Sequence, residues 1–260
     1  MYWVIYLIAG IGAGLVTGLA GLSAAVIITP LLVGVCGWDS YDAVTVALAA
    51  DVLASLLTAN TYRKNGNIDL KRGLMVGSTA LIGTAVGSRC GFLFNQAQPG
   101  GLGLIAMITT VSLGIKFLIK PMTGGEDAKS LSASGNATSK TFLAMICGLG
   151  IGWVCGFTGS GGGILMLTVF TLLLGYNLKV AVGTSTLIMC FVALVGAVSH
   201  LFMGAEFHPI PMTVTVIACL ISAIMSAKFA NRCEIRKLNK VIGIVLIILG
   251  AFTMATKYLI

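Results

Sequence analysis

Residues 156–163 read Gly-Phe-Thr-Gly-Ser-Gly-Gly-Gly, and they lie inside a stretch, residues 141–175, that carries no charge. Glycine in a helix interior is about 1 kcal/mol less favourable than alanine. Five glycines in eight residues therefore predict that the helix is interrupted here. Length gives the same prediction, because one straight helix over such a stretch would be about 50 Å long, whereas the hydrocarbon core of a bilayer is only about 30 Å thick.

The composition of the whole chain is that of a membrane protein. Of its 260 residues, 57% are hydrophobic and 9% are charged, with a mean hydropathy of +1.02, whereas a soluble domain carries about 25% charged residues. Uncharged apolar runs of about 18 residues or more follow one another, which is typical of transmembrane helices. We expect an all-α polytopic protein in the lipid bilayer of the cell inner (plasma) membrane. The net charge of +8 lies in short loops, where it sets topology, so no nucleic-acid partner is expected.

The chain contains an internal repeat. A shift of 138 residues aligns residues 10–66 with residues 148–204 without a gap. This predicts two transmembrane repeats, residues 1–120 and 141–260, joined by a cytoplasmic linker, residues 121–140. Internal repeats are the usual build of secondary transporters. The shared glycines are Gly10, Gly12, Gly14, Gly18 and Gly21, which fall on Gly148, Gly150, Gly152, Gly156 and Gly159.

Each repeat is predicted to hold one glycine-broken element followed by three transmembrane helices. The broken element is either re-entrant or crosses the membrane as two half-helices. Equivalent loops differ in charge, because residues 63–72 hold four Lys or Arg and residues 201–211 hold none. By the positive-inside rule the two repeats have inverted topology, and both termini are predicted to be outside. The predicted apolar segments are residues 3–36, 41–62, 73–94 and 100–119, then 141–174, 180–203, 211–229 and 239–258.

The two breaks together form the predicted binding site for a small anion. Non-helical backbone at membrane depth is tolerated only where it is buried in protein or lines a wet cavity. The N–H groups at the start of the second half-helix lack helical partners, and the helix dipole favours an anion there. Inverted repeats should bring both starts together near the midplane. The predicted substrate-binding residues are Gly21 and Ser23 in the first break, Thr158, Gly159, Ser160, Gly161, Gly162 and Gly163 in the second, Thr184 and Ser185 in the following span, and Arg89.

Each of these residues also has a plainer interpretation, and the sequence leaves both open. Glycines also permit close packing of membrane helices, and Ser and Thr hydroxyls often bond back to their own helix. Arg89, like Lys228 in the other repeat, either attracts anions or extends its side chain to the membrane interface. Asp51, in the middle of a span, is either a group that couples transport to H⁺ or Na⁺ or an interior cap or ion pair. His200, near the outer end of its span, is either titratable near neutral pH or structural.

On these residues the chain resembles the TauE/SafE family of sulfite and sulfonate-related exporters. The resemblance rests on Gly-x-x-x-Gly-x-x-Gly-x-Gly-Gly-Gly at residues 152–163 and on Ala-Val-Gly-Thr-Ser at residues 181–185. It implies a secondary transporter, an exporter of small sulfur-containing anions such as sulfite, sulfoacetate or thiosulfate, that works by alternating access with both repeats lining the path. The first repeat departs from the pattern, with Leu-Ser-Ala-Ala at 22–25 in place of Ser-Gly-Gly-Gly at 160–163. The second repeat is therefore expected to supply more of the ligand shell.

Two other functions remain open from the sequence. One is a carrier of another small organic or inorganic anion, and the other is a membrane assembly or thiol-redox protein. The redox interpretation is disfavoured, because none of the seven cysteines aligns with another under the repeat and no C-x-x-C occurs. No enzyme, metal-site or ATP-binding motif occurs either. We therefore expect no cofactor and no enzymatic activity, and transport that is driven by an ion gradient, facilitated, or dependent on another subunit.

Overall fold

The computed structural model of the protein describes residues 3–119, 137–159, 162–206 and 208–230, together with residues 243–244, 246–248 and 251. All regular structure within these ranges is helical. Five of the described helices are long and apolar enough to cross a membrane. Many large apolar side chains on them are exposed, such as Val4 (61%) and Phe229 (59%). Apolar surface on this scale suits lipid rather than water, so the predicted all-α polytopic fold is confirmed.

The first half of the described chain contains five helices. Two of them begin at an aspartate cap: Asp39 accepts a hydrogen bond from Tyr41 N (2.8 Å), and Asp69 accepts one from Arg72 N (3.1 Å). Such caps satisfy N–H groups that have no partner within the helix. The helices are α1 (Trp3–Ala20), α2 (Ala25–Val35), α3 (Ser40–Lys64), α4 (Leu70–Ala97) and α5 (Gly101–Ile119).

The second half follows the same order. Its helices are α6 (Ala137–Thr158), α7 (Gly162–Thr168), α8 (Leu178–Phe202) and α9 (Pro209–Ala230), with a π-helical segment, Val169–Leu173, directly after α7. Asn177 caps α8 by accepting a hydrogen bond from Val180 N (3.0 Å). Helix α6 begins inside the predicted linker, residues 121–140. The remainder of that linker, and most of the predicted span 239–258, lie outside the described residues.

The helix breaks fall at equivalent positions in the two halves. Both α1 and α6 are followed at once by a glycine with left-handed backbone, Gly21 (φ +66°) and Gly159 (φ +65°). A residue with a side chain adopts that conformation only with strain, so each break requires its glycine. Two further left-handed pairs related by the same shift are Gly37 with Gly175 and Gly66 with Gly204.

Two close helix pairs form the sides of the bundle, with α1 packed along α9 and α4 packed along α6. A Cβ on Gly14 would lie 2.3 Å from the Cys219 carbonyl oxygen, and a Cβ on Gly152 would lie 2.0 Å from that of Ala80. The helix backbones therefore touch, as small residues allow in membrane helices. The glycines that serve this packing are Gly10, Gly14 and Gly18 in α1 and Gly148, Gly152 and Gly156 in α6.

Helices α3 and α8, which are equivalent under the repeat, cross the centre of the bundle. Thr45, early in α3, lies 3.3 Å from His200, late in α8. A Cβ on Gly183, early in α8, would lie 2.9 Å from the Cβ of Tyr62, late in α3. The two helices are thus antiparallel, as inverted repeats require of equivalent central helices. Opposite insertion of the two halves in the membrane stays a prediction.

Candidate functional site

The two helix breaks meet in the interior of the protein. Ser23 Oγ lies 3.2 Å from the carbonyl oxygen of Gly159. A Cβ on Gly163 would lie 2.3 Å from the carbonyl oxygen of Gly21. All four residues are buried. The structure thus brings together four of the predicted site residues, two from each half, and we call them the break junction.

Asp51 occupies the N-terminus of α2. Its side chain is 0% exposed, and its carboxylate accepts hydrogen bonds from Ala24 N (2.6 Å) and from Ser23 Oγ. The Ser23 hydroxyl has one proton, so it donates either to Asp51 or to the Gly159 carbonyl at any one time. A carboxylate is the charge that a helix N-terminus favours. The first half therefore places a carboxyl group of its own at its break, which is the interior-cap alternative for Asp51, and a coupling role stays a prediction.

The second break lacks a carboxylate at the matching position, because the repeat places Met189 where Asp51 stands. A Cβ on Gly162, the counterpart of Ala24, would lie 3.0 Å from Cys155 Sγ and 3.2 Å from Met189 Sδ. Two sulfur atoms and glycine backbone therefore flank the start of α7. Met189 was not among the predicted site residues, although the repeat alignment already pairs it with Asp51. The two breaks are alike in backbone and different in side-chain chemistry.

The hydroxyl groups predicted to bind a ligand are used differently from one another. Ser185 and Thr158 each donate to a backbone carbonyl of their own helix, at 3.1 and 2.9 Å, which is the bonding that Ser and Thr often make within helices. Ser185 also lies beside the junction, with its Oγ 3.4 Å from where a Cβ on Gly21 would lie. Thr184 instead accepts a hydrogen bond from Asp69 N (3.0 Å), which joins the loop before α4 to α8.

Three predicted binding residues are not brought to the junction by the described part of the chain. Arg89 is exposed on α4, a helix that packs along α6. Ser160 and Gly161 lie between the described ends of the second break, outside the described residues. Binding roles for these three, as for the other predicted binding residues, stay predictions.

His200, expected near the outer end of its span, lies two residues before the end of α8 and is enclosed by protein. It is 0% exposed, with Nδ1 3.3 Å from Thr45 Oγ1 and Nε2 3.4 Å from the Gly156 carbonyl oxygen. Its ring stacks on that of Tyr41, with the centroids 4.1 Å apart. The antiparallel packing of α3 and α8 encloses this end of α8, which fits the structural alternative for His200. His200 thus joins α8 to α3 and α6 just before the second break.

At one end of the bundle, Tyr176 joins the second half to the loop of the first. Its hydroxyl donates to the Asp69 carboxylate, and Arg72 Nη1 lies 3.5 Å from the same hydroxyl oxygen. Partial burial acts to raise the pKa of Asp69, but the Tyr176 hydrogen bond, the Arg72 backbone N–H and the Arg72 charge outweigh it and hold that pKa below its usual value. Burial, followed by the Asp69 contact, raises the pKa of Tyr176 to about 12. We call these three residues the tyrosine cluster.

At the other end, Trp38 makes the matching contact from the first half to the second. Trp38 and Tyr176 are equivalent under the repeat. The Trp38 ring centroid lies 4.3 Å from that of His208, whose Nε2 lies 3.6 Å from Glu206 and 4.0 Å from Asp42. Glu206 N also donates to the Asp42 carboxylate (2.8 Å). We call Trp38, Asp42, Glu206 and His208 the tryptophan cluster, and the two clusters join the halves at opposite ends of α3.

The protein has several membrane-spanning helices and irregular backbone at its buried centre, and contacts at both ends join its two halves. These features are typical of a membrane transporter. The family model described as "Sulfite exporter TauE/SafE" matches residues 6–253. The chain belongs to the sulfite exporter TauE/SafE family, and it is a membrane transporter rather than an enzyme.

Two relatives come from Bacillus subtilis (strain 168). The chain is similar to "Probable membrane transporter protein YunE", with 26% identity over 96% of each chain. It is also similar to "Probable membrane transporter protein YdhB", with 24% identity over 84% of this chain and 86% of that protein. The match to YunE, at 96% of this chain, extends over both halves.

Proposed function

We propose that the protein is a secondary transporter that exports a small sulfur-containing oxyanion, with sulfite as the first candidate and sulfoacetate and thiosulfate as the next. The observation that carries the proposal is the meeting of two helix breaks around Ser23, at a buried point shared by both halves. Irregular backbone at such depth is costly unless it has a polar function. The family description supports a sulfur oxyanion and export.

The anion is held chiefly by the second break. Asp51 already supplies the negative charge at the start of α2, and a second anion there would be repelled. The second break has Met189 in place of that carboxylate and offers Gly159, Gly162 and Gly163, whose lack of side chains allows close approach to the backbone. Ser160 and Gly161 complete the proposed ligand shell.

Asp51 is the proposed coupling group, with H⁺ preferred to Na⁺. Both of its oxygens face donors, Ala24 N and Ser23 Oγ, whereas a sodium ion needs oxygen lone pairs directed at it. A proton on Asp51 removes the charge that repels a neighbouring anion and weakens its bonds to the start of α2. An inside-negative membrane potential adds about 2.3 kcal/mol of outward drive per ~100 mV for each net negative charge that crosses, so a proton carried with the anion reduces that drive by one charge.

The tyrosine and tryptophan clusters are the proposed gates. Each joins a loop of one half to the residue that follows the broken element of the other half. In alternating access one cluster separates while the other stays closed, so that the junction opens to one side at a time.

The test is transport by the purified chain in proteoliposomes. Vesicles are loaded with radiolabelled sulfite or, in parallel, with labelled thiosulfate or sulfoacetate, and an inside-negative potential is imposed. Efflux of each anion is followed, and sulfite efflux is also measured with thiosulfate, sulfoacetate or phosphate as competitors. Saturable efflux that the two sulfur anions inhibit and phosphate does not is the expected result. Efflux of all three sulfur anions at the rate of protein-free vesicles would refute the substrate class, whereas inhibition by phosphate alone would assign the carrier to another small anion.

A further inference from the structure

A cavity of about 460 Å³ opens where α3 ends, between α3, the loop before α4, and α8. Its polar wall is formed by Asn60 and Arg63, which are both exposed. Its apolar wall includes Leu56, Leu70 and Leu187. The cavity thus joins a cationic mouth to an apolar interior at the end of a membrane-spanning helix.

A second cavity, of about 210 Å³, lies beside the first, between α4 and α8. The two cavities share Leu187 as a wall. The lining of the second runs along α4 from Gly73 to Leu81, about 12 Å at the rise of an α-helix. Its wall is almost wholly apolar, and Leu74 (53%) and Phe191 (43%) leave it open at the outer surface of the bundle. The missing side chain of Gly77 widens the groove between the two helices.

The charge at the mouth is unbalanced. Within the described part of the chain, no hydrogen bond or ion pair engages the Arg63 guanidinium or the ammonium groups of Lys64 and Lys71. Arg72, by contrast, contacts Tyr176. Residues 63–72 carry four cations and one carboxylate, so the mouth of the cavity attracts an anion. A small soluble anion alone would leave the apolar part of the cavity unfilled.

We propose that the two cavities form one site for an anionic phospholipid. The headgroup phosphate lies at Arg63 and Asn60, and one acyl chain follows the apolar groove past Leu187 toward Phe191. Basic pockets between transmembrane helices are suited to anionic headgroups. The apolarity of the α4–α8 groove suits part of an acyl chain rather than a peptide, which would need polar partners for its backbone. This site is separate from the break junction and does not depend on which anion is transported.

The experiment compares phosphatidylglycerol with phosphatidylcholine on the purified full-length chain in detergent. Lipid retained by the protein is counted by native mass spectrometry, and thermal stability is followed as each lipid is added. We expect phosphatidylglycerol to be retained and to raise the midpoint temperature more than phosphatidylcholine does. Equal retention of the two lipids would overturn the proposal.

Two adjacent substitutions give a matched comparison. Arg63→Gln removes the cation that lines the cavity, and Lys64→Gln removes the same charge one residue further on, outside the lining. One cation at a lipid headgroup contributes about a fivefold change in affinity. We therefore expect Arg63→Gln to weaken phosphatidylglycerol binding about fivefold and Lys64→Gln to leave it within twofold. Equal weakening by both would show a diffuse basic surface and overturn the site.

The acyl part of the site has its own test. Leu187→Trp places a larger side chain in the wall that the two cavities share and so fills space in both. It should reduce retention of both lipids, although the cation at Arg63 is still present. Leu74→Trp, at a more exposed position of the groove, serves if Leu187→Trp fails to fold. Undiminished retention in a folded variant of either kind would refute the acyl path.

Discussion

The break junction leaves no room for a side chain at Gly163, and Gly163→Ala is the sharpest perturbation of it. The new Cβ would lie 2.3 Å from the Gly21 carbonyl oxygen, 3.2 Å from Leu22 Cα and 3.2 Å from Ser23 N. All three atoms belong to backbone, so no rotamer change relieves the contact, and the two breaks must separate by about 1 Å. Overpacking of this kind costs about 1–3 kcal/mol, partly offset by the better helix propensity of alanine.

The midpoint of thermal unfolding should therefore fall by about 2–8 °C. Transport should fall much further, because a displacement of about 1 Å at a site that positions a substrate can cost up to ~100-fold in rate. We expect sulfite efflux from proteoliposomes to drop at least tenfold while the variant remains folded and monodisperse. Unfolding is followed in the same detergent for each protein, which gives a readout that is independent of the substrate.

Substitutions at two other glycines serve as controls, because they show the effect of an added side chain away from this contact. Gly150→Ala adds a Cβ with nothing within 4 Å on an exposed face of α6, so it should be neutral or slightly stabilising. Gly37→Ala also adds a Cβ to open space, but at φ +69°, so it should cost about 1–2 kcal/mol from backbone strain alone and leave efflux nearly unchanged. Wild-type efflux in a folded Gly163→Ala variant would refute the placement of the transport path at the junction. An equal loss in Gly37→Ala would refute its specificity.

Asp51→Asn replaces one acceptor oxygen by a donor amide, which should cost about 2 kcal/mol of stability and flatten the pH dependence of efflux; an unchanged pH profile would remove Asp51 as the coupling group. Gly152→Ala, which would place a Cβ 2.0 Å from a backbone oxygen of α4, should lower the unfolding midpoint by several degrees, unlike Gly150→Ala two residues away. Tyr176→Phe removes a hydrogen bond that lowers the pKa of Asp69. Because the folded-state pKa of Asp69 lies below the usual value, the hydrogen bond from Tyr176 contributes to the free energy of unfolding at neutral pH. This contribution is lost as the pH falls through the folded-state pKa. The stability difference between Tyr176→Phe and the wild type should therefore narrow as the pH falls below about 5 and through the lowered pKa of Asp69, and a constant difference would contradict the assignment.

The helices and their breaks could be predicted because their causes are local. The predicted span 41–62 corresponds to α3 (Ser40–Lys64), and 180–203 corresponds to α8 (Leu178–Phe202). Apolar length sets such spans, and the polar caps Asp39 and Asn177 then fix where each helix starts. The breaks were predictable because left-handed backbone and close approach select glycine, whatever the rest of the chain does.

The partners of individual polar groups could not be predicted in the same way. Asp51 was equally consistent with coupling and with capping, and its contact to Ala24 depends on how α2 packs against α3. Thr184 was grouped with Ser185 by adjacency, yet successive residues of a helix face different neighbours, and Thr184 meets Asp69 instead. For His200 the sequence left a titratable and a structural role open, because the hydropathy of a segment does not report the burial of one side chain.

Composition, glycine spacing and the internal repeat were therefore sufficient for an all-helical membrane protein with two interrupted helices, because helix length, propensity and backbone conformation are properties of short segments. Only the tertiary packing decided which break carries a charge of its own. It sets the Asp51 carboxylate on the start of α2 and places Cys155 and Met189 around Gly162. Those contacts join residues far apart in the chain, and their geometry follows from how whole helices pack.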